Sequence, residues 1–194
     1  VLPKKAVGAS HTSKIKKIVN ILKNKKIELQ FITASENIAW LLNIRGHDSD
    51  FSPIPNSYLI IENDKKINLF CDLKKINSHF KKKFSNIIIA DIKNVSAFLS
   101  KIKRKKILID SSTCSQHFEK ILKKNNKIVN YSDPTVFLKS IKSKIEIKNT
   151  IKSHIYDGAA LTKFLIWIKK NYRKKNIDEI VAQEKLLKYR KKNK

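Results

Sequence analysis

Short apolar segments alternate with helical segments from residue 14 to residue 131, and this alternation restricts the fold more than any other feature. The segments typical of strands are 27–33, 57–62, 66–72, 86–92, 105–111 and 127–131. Helical spacing of apolar residues marks the segments 14–26, 94–103 and 111–124. Strands that alternate with helices predict an α/β domain with a mixed sheet. The uninterrupted apolar run at 86–92 further predicts a strand buried on both faces.

A short apolar helix leads directly into a polar loop at residues 33–55, TASENIAWLLNIRGHDSDFSPIP. Thr33 and Glu36 have the spacing of a capping box, which predicts the start of the helix. Gly46 can adopt the left-handed conformation that ends a helix. The loop contains His47, Asp48 and Asp50, but three neighbours on one loop rarely converge on a metal ion. We therefore expect no metal site in this loop.

The chain changes character after Asp133-Pro134, where a turn signal ends the alternation. One long helix is predicted at 144–172 and a second at 178–190, with Asp178 as its cap. His154 and Asp157 are three residues apart and so share a face of the long helix, where their side chains can form a hydrogen bond. We interpret them as a polar pair at the edge of the surface by which this helix packs. This pattern predicts one domain at 1–138 and the start of another at 139–194.

The charge of the chain is strongly positive, with 43 Lys+Arg against 16 Asp+Glu and a formal net charge of +27. Most of these are lysines spread over every predicted element, and Lys, Asn and Ile all have AT-rich codons. Compositional drift explains such a bias without a selected ligand, so we expect weak, salt-sensitive adhesion to polyanions and no specific nucleic-acid partner. No apolar run approaches the roughly 18 residues of a membrane span, so we expect no membrane partner and a cytoplasmic location.

Catalytic motifs are incomplete in the chain. It has no Ser or Cys nucleophile motif, and its three glycines argue against a phosphate-binding loop. Cys71 and Cys114 lie far apart and fit no metal spacing, so we expect reduced, partly buried thiols. The chain also contains no Met and ends in RKKNK, so we expect a piece of a longer protein.

Two stretches resemble one known family, the three-domain aminopeptidase P enzymes. Residues 36–61, ENIAWLLNIRGHDSDFSPIPNSYLII, are similar to the family pattern D-E-I-A-W-L-x-N-x-R-G-x-D followed by S-Y-x-I-I. Residues 133–168 are similar to its junction with the catalytic domain, A-H-x-x-D-G-x-A-L-x-x-F-x-x-W-L. The chain departs from these patterns at Asn37, Ser52 and Ser153. The family-motif positions interpreted as structural are Trp40, Gly46, His154, Asp157 and Gly158.

The resemblance implies a fold and an activity. It implies a creatinase N-terminal-like, ribonuclease-H-like mixed sheet with flanking helices, followed by the first helices of an incomplete pita-bread domain. Enzymes of this family release an N-terminal residue that precedes proline, and they hold two manganese ions in a domain that this chain lacks. By this resemblance the parent is expected to be a homodimer, and the chain contributes no catalytic residue and no metal ligand. Arg45 and Asp48 are expected to help shape the substrate cleft.

Two alternatives to an inactive part of a peptidase remain open from the residues. One is a non-catalytic α/β module with a binding or regulatory role. The other is a basic nucleic-acid-binding protein, which the net charge of +27 alone favours.

Overall fold

The computed structural model describes residues 1–173 and 176–192. The chain divides into two compact units, residues 1–142 and 143–194. The predicted assignment of 1–138 and 139–194 to two domains stays a prediction, and its last residue, Lys194, lies outside the described residues. None of the helices in the described part is both long enough and apolar enough to cross a membrane.

A six-stranded mixed sheet forms the centre of the first unit, which confirms the predicted α/β class. The strands are β1 Leu29–Ile32, β2 Ser57–Glu62, β3 Ile67–Cys71, β4 Ile88–Asp91, β5 Lys106–Ile109 and β6 Lys127–Asn130. Their order across the sheet is β4-β3-β2-β1-β5-β6. Only β2 runs against its neighbours, β1 and β3, and the three other pairings are parallel. Five strands therefore end at the same edge of the sheet, which we call the carboxyl edge.

Helices cover both faces of this sheet. They are α1 Lys4–Val7, α2 His11–Asn24, α3 Ser35–Leu42, α4 Ser78–Lys83, α5 Val95–Lys101, α6 Gln116–Lys123 and α7 Pro134–Ser140. Short 3-10 helices lie at Leu73–Lys75 and Ile92–Asn94. One core joins α2 and α3 to one face of the sheet, and the other joins α5 and α6 to the opposite face. In β2, Leu59 and Ile61 belong to the first core and Ile60 to the second, as the two-residue period of a strand requires.

The strand predicted to be buried on both faces lies at the edge of the sheet instead. β4 pairs only with β3, and Ile88 is 52% exposed. Ile87, just before the strand, packs into the first core. An apolar run alone therefore did not distinguish a central strand from an edge strand whose flanking residue is buried.

Both predicted ends of α3 are wrong. Its N-cap is Ala34, which makes no side-chain cap hydrogen bond, and the hydroxyl of Thr33 instead lies 3.0 Å from that of Thr113. At the other end, Asn43 adopts the left-handed conformation, with φ 57° and ψ 37°. The tolerance of Asn for this conformation ends the helix three residues before Gly46.

Lys14 closes the C-terminal end of α3. Its ammonium group donates hydrogen bonds to the carbonyl oxygen of Trp40, at 2.8 Å, and to Oδ1 of Asn43, at 2.6 Å. The same group lies 3.8 Å from the centre of the Trp40 ring, and Lys14 is only 3% exposed. A cation at a helix C-terminus is favoured by the helix dipole. Trp40, a family-motif residue, therefore helps to fix α2 against α3.

A buried carboxylate fixes the last helix of the first unit. Asp133 is 3% exposed, and its Oδ1 accepts hydrogen bonds from Nε2 of Gln30 and from the backbone N of Thr135, both at 2.8 Å. Its Oδ2 accepts a hydrogen bond from Nδ2 of Asn37 at 2.7 Å. The backbone N of Asp133 donates to Oδ2 of Asp110 at 2.9 Å. Through its side chain and its backbone N, this one residue thus connects β1, α3, the end of β5 and α7.

The second unit consists of α8 Lys144–Asn171 and α9 Glu179–Lys192. The backbone N of Val181 donates to Oδ1 of Asp178 at 2.8 Å, which confirms the predicted cap. Along α8, Ile151 and Ile155 are 58% and 64% exposed. These belong to an exposed apolar stripe on α8, which is formed by Ile147, Ile151, Ile155 and Leu165.

The predicted contact between His154 and Asp157 is replaced by other contacts. Nδ1 of His154 lies 2.9 Å from the carbonyl oxygen of Thr150. The carboxylate of Asp157 accepts hydrogen bonds from Arg190 on α9, from Nε at 2.6 Å and from Nη2 at 3.2 Å. This pairing lowers the pKa of Asp157. A guanidinium fork matches a carboxylate better than an imidazole one turn away does.

We predict that Asp133→Ala lowers the free energy of unfolding by about 3 kcal/mol, because buried amide donors lose their acceptor. The measurement is urea unfolding followed by circular dichroism. Asp50→Ala, at an exposed loop position, is the control and should change stability by less than about 0.5 kcal/mol. Equal effects of the two substitutions would contradict the structural role of Asp133.

Candidate functional site

A cavity of about 420 Å³ opens at the carboxyl edge, beside the end of β3 and the start of β2. Its lining includes Arg45, Gly46 and Asp48, the three motif residues that the sequence placed in one loop. Buried apolar side chains, among them Ile44 and Leu69, line the same cavity. Ligands of open α/β sheets bind outside the carboxyl ends of the strands, so this cavity is the candidate site.

The predicted cleft residue Asp48 makes two contacts that hold the loop. Its Oδ1 lies 2.6 Å from Nζ of Lys75, and its Oδ2 accepts the backbone N–H of Asn56 at 2.7 Å. The Asp48 side chain is 13% exposed and that of Lys75 is 50% exposed. The hydrogen bond from Lys75 is the main reason that the pKa of Asp48 lies below its usual value. Both carboxylate oxygens thus tie the loop to its surroundings.

Arg45, the other predicted cleft residue, is exposed at the cavity. Its Nη1 donates hydrogen bonds to the carbonyl oxygens of Ile44, at 2.8 Å, and Ala39, at 3.4 Å. Among the described residues, the hydrogen bonds of Arg45 involve Nη1 only. A guanidinium has five N–H donors in a planar fork that matches a carboxylate. Backbone carbonyl oxygens of α3 and of the residue before Arg45 therefore orient a group that can bind the carbonyl or carboxylate of a ligand.

Gly46 is required by close packing. A Cβ atom on Gly46 would lie 2.7 Å from Cα of Pro55, a distance that real Cβ atoms do not reach. The backbone N of Gly46 donates to the carbonyl oxygen of Pro53 at 3.2 Å. The loop therefore folds back on itself at Gly46, and this contact places Arg45 and Asp48 on either side of it along the cavity.

Several cavity residues escaped the sequence analysis. Lys75 and His79 line the cavity, although they lie 27 residues or more beyond Asp48 in the chain. The 3-10 helix and α4 bring them to the loop, and no local pattern indicates this. Trp40 is not part of the lining, and the other motif positions, His154, Asp157 and Gly158, belong to the second unit.

Metal binding and thiol chemistry find little support in this cavity. Across residues 1–173 and 176–192, no three His, Cys, Asp or Glu side chains are placed to hold a metal ion. Cys71 also lines the cavity, and burial raises the pKa of its thiol to about 11. A thiol with this pKa stays protonated near neutral pH, so it is a poor nucleophile.

Comparison with known proteins gives consistent matches in sequence. Residues 1–146 match the family model described as the Creatinase/Prolidase N-terminal domain. A Xaa-Pro aminopeptidase of Drosophila melanogaster, ApepP, is 34% identical in an alignment of 177 residues that covers 87% of this chain and 28% of that protein. Xaa-Pro aminopeptidase 1 of Dictyostelium discoideum is 32% identical in an alignment of 178 residues that covers 90% of this chain and 28% of the relative. The chain thus spans less than a third of the length of these relatives.

Solved structures match in the same way. The X-prolyl aminopeptidase of Caenorhabditis elegans, described as a cytosolic enzyme with a di-nuclear active site, superposes with a TM-score of 0.87. It is 26% identical, and the match covers 98% of this chain and 32% of that one. A Xaa-Pro dipeptidase from Bacillus anthracis has the same fold, with a TM-score of 0.67 at 16% identity, over 94% of this chain and 49% of that chain.

We predict opposite effects of the same substitution at two glycines. Gly46→Ala should lower the free energy of unfolding by about 1–3 kcal/mol, because its methyl group meets the backbone of Pro55. Gly158→Ala should raise helix stability by about 0.5–1 kcal/mol, because a Cβ there meets nothing within 4 Å inside α8. Thermal unfolding followed by circular dichroism measures both, and a stabilising effect of Gly46→Ala would contradict the packing argument.

Proposed function

This chain belongs to the creatinase/prolidase N-terminal domain family, and from that membership we propose that it serves as the non-catalytic α/β part of a metal-dependent Xaa-Pro aminopeptidase. Such an enzyme releases an N-terminal residue that precedes proline. The observation that carries the proposal is the 34% identity to a Xaa-Pro aminopeptidase over 87% of this chain. The match of 98% of the chain to an X-prolyl aminopeptidase structure supports it.

The chemistry of this enzyme is proposed to lie outside the chain. The described residues offer no group of three metal-ligand side chains, so they do not fit a pair of metal ions. The two manganese ions expected for the enzyme would bind in a pita-bread domain supplied by further sequence. Metal-activated water is the nucleophile that such a pair provides. This chain supplies no catalytic step, and its proposed contributions are folding and substrate positioning.

The second unit supports a place for that further domain. The exposed apolar stripe on α8 is more contiguous apolar surface than a small monomeric protein normally leaves exposed to water. In the proposal, the first helices of the pita-bread domain are α8 and α9, and the stripe packs against the sheet of that domain. The same proposal includes a homodimer and a cytoplasmic location for the whole enzyme.

The cavity at the carboxyl edge is the proposed contribution to substrate binding. Arg45 is exposed, and its backbone contacts orient it at the cavity, so it can bind a carbonyl or carboxylate of a peptide with proline in second position. Asp48 acts through Lys75 and Asn56 by holding the loop in place. We therefore assign substrate contact to Arg45 and positioning to Asp48.

A direct assay tests where the chemistry lies. The chain is incubated with Mn²⁺ and a peptide whose second residue is proline, and release of the first residue is followed. We expect no turnover above the metal-only blank, and turnover would overturn the assignment of catalysis to another domain. The coding DNA beyond Lys194 is then read for a frame with two Asp, one His and two Glu in the family order. A frame without that series would overturn the proposed enzyme.

We predict that Arg45→Ala, made in the longer enzyme that contains this chain, raises KM about tenfold and leaves kcat and the melting temperature nearly unchanged. A tenfold change corresponds to about 1.4 kcal/mol, close to the lower end of the range for a hydrogen bond to a charged group. Steady-state kinetics and thermal unfolding measure the two effects. Arg104→Ala, at the opposite end of the sheet, should change neither. Unchanged kinetics with a lower melting temperature would make Arg45 purely structural.

A further inference from the structure

The fold concentrates basic side chains at the end of the sheet opposite the cavity. Five strands begin there, so the segments 23–28, 62–66, 101–106 and 123–127 meet at this end. We call these four segments the basic end. They carry thirteen basic side chains and three acidic ones. The basic residues are Lys23, Lys25, Lys26, Lys65, Lys66, Lys101, Lys103, Arg104, Lys105, Lys106, Lys123, Lys124 and Lys127, and the acidic ones are Glu28, Glu62 and Asp64.

Hydrogen bonds between the segments confirm that they form one surface. The backbone N of Arg104 donates to the carbonyl oxygen of Asn125 at 2.8 Å, and the backbone N of Lys127 donates to that of Lys105 at 2.9 Å. Nζ of Lys106 reaches the carbonyl oxygen of Lys25 at 3.3 Å. Eleven of the thirteen basic residues are exposed, and the other two are Lys105 and Lys106.

The carboxyl edge has the opposite composition. The segments that follow the strands there, 33–36, 71–75, 91–94, 110–113 and 130–133, carry five acidic and three basic side chains. Compositional drift toward lysine would load both ends of the sheet alike. The charge is instead separated along the strand direction, although in sequence the lysines are spread over every element.

Helix dipoles account for only part of this separation. Lys23, Lys101 and Lys123 lie in the last turns of α2, α5 and α6, where a cation stabilises the helix. Lys65 and Lys66 lie in the turn between β2 and β3, which ends no helix. Acidic partners are also scarce, because Glu28 is already paired with Lys105 at 2.9 Å.

We propose that the basic end binds the phosphate backbone of duplex nucleic acid without reading its sequence. The basic segments lie at one end of five neighbouring strands, β3, β2, β1, β5 and β6, and so extend over about 19 Å at the usual strand spacing. Duplex DNA presents about eleven charges over that length. Lysine acts as a point charge suited to phosphate, whereas base reading favours the bidentate arginine. This function is separate from the proposed peptidase function.

The surface fits a nucleic acid better than a membrane. Within the four segments, Ile27 is 1% exposed, and no large apolar side chain belongs to the exposed class. Stable binding at a lipid surface normally needs an apolar side chain or acyl chain in addition to charge. A row of cations without an apolar anchor matches a linear polyanion.

Fluorescence anisotropy with a labelled 20-base-pair duplex of arbitrary sequence tests the proposal, using the full chain at 50–200 mM NaCl. The test variant carries Lys65→Gln, Lys66→Gln, Lys103→Gln and Lys124→Gln. The matched control carries Lys4→Gln, Lys5→Gln, Lys74→Gln and Lys93→Gln, which are exposed lysines of the same unit outside the basic end. Both variants lose the same charge.

We expect the test variant to bind the duplex at least about tenfold more weakly at 100 mM salt, with a salt slope smaller by about 3.6, because about 0.9 is lost for each of the four phosphate contacts. The control should weaken binding less than about threefold. A second test variant, Lys26→Gln, Lys101→Gln, Lys123→Gln and Lys127→Gln, should repeat the result, and circular dichroism confirms that each variant is folded. Three outcomes would each overturn the proposal. The first is an equal loss of duplex affinity in test and control variants, and the second is no binding of the duplex at 50 mM salt. The third is tighter binding to vesicles of anionic lipid than to the duplex.

Discussion

The carboxylate of Asp133 is the contact on which the arrangement of the first unit depends. It is buried, and it accepts hydrogen bonds from a strand, from a helix and from the first turn of the helix that it caps. A buried charge is tolerated only where such donors surround it, so each of these elements has one allowed position. Lys139 on α7 adds a hydrogen bond to Oδ1 of Asn37 at 2.7 Å. The last helix before the second unit is therefore held from both ends.

Charge and topology together divide the first unit into two ends of different charge. Helices that start near the carboxyl edge place capping aspartates there, and helices that end at the opposite edge place lysines there. The cavity lies at the carboxyl edge, where Asp48 and Lys75 hold its loop, and the basic end lies a strand length away. One sheet can thus present a cavity at one end and a cationic surface at the other, because strand direction decides which residues meet.

The candidate site was only partly predictable from the sequence. The motif around Arg45, Gly46 and Asp48 indicated a shared loop, and the structure brings all three to one cavity. The reason for Gly46 was different from the one predicted, because its close approach to Pro55 excludes a side chain whereas Asn43 ends the helix. The partner of Asp48 was not predictable, since Lys75 is 27 residues away and one lysine among many. Nor does any local pattern indicate that Lys14 is buried over Trp40.

By itself, the sequence determined the six strands, most of the helices, the α/β class and the family resemblance. These depend on short-range spacing of apolar residues and on motifs that are contiguous in the chain. The tertiary structure alone decided that β4 lies at the edge, which partners the charged side chains take, and that lysines from four distant segments form one surface. Periodicity describes how one segment exposes its faces, whereas strand order and ion pairing depend on which distant segments pack together. The exposure of one segment's faces can therefore be predicted from the sequence alone, whereas strand order and ion pairing can be seen only in the folded chain.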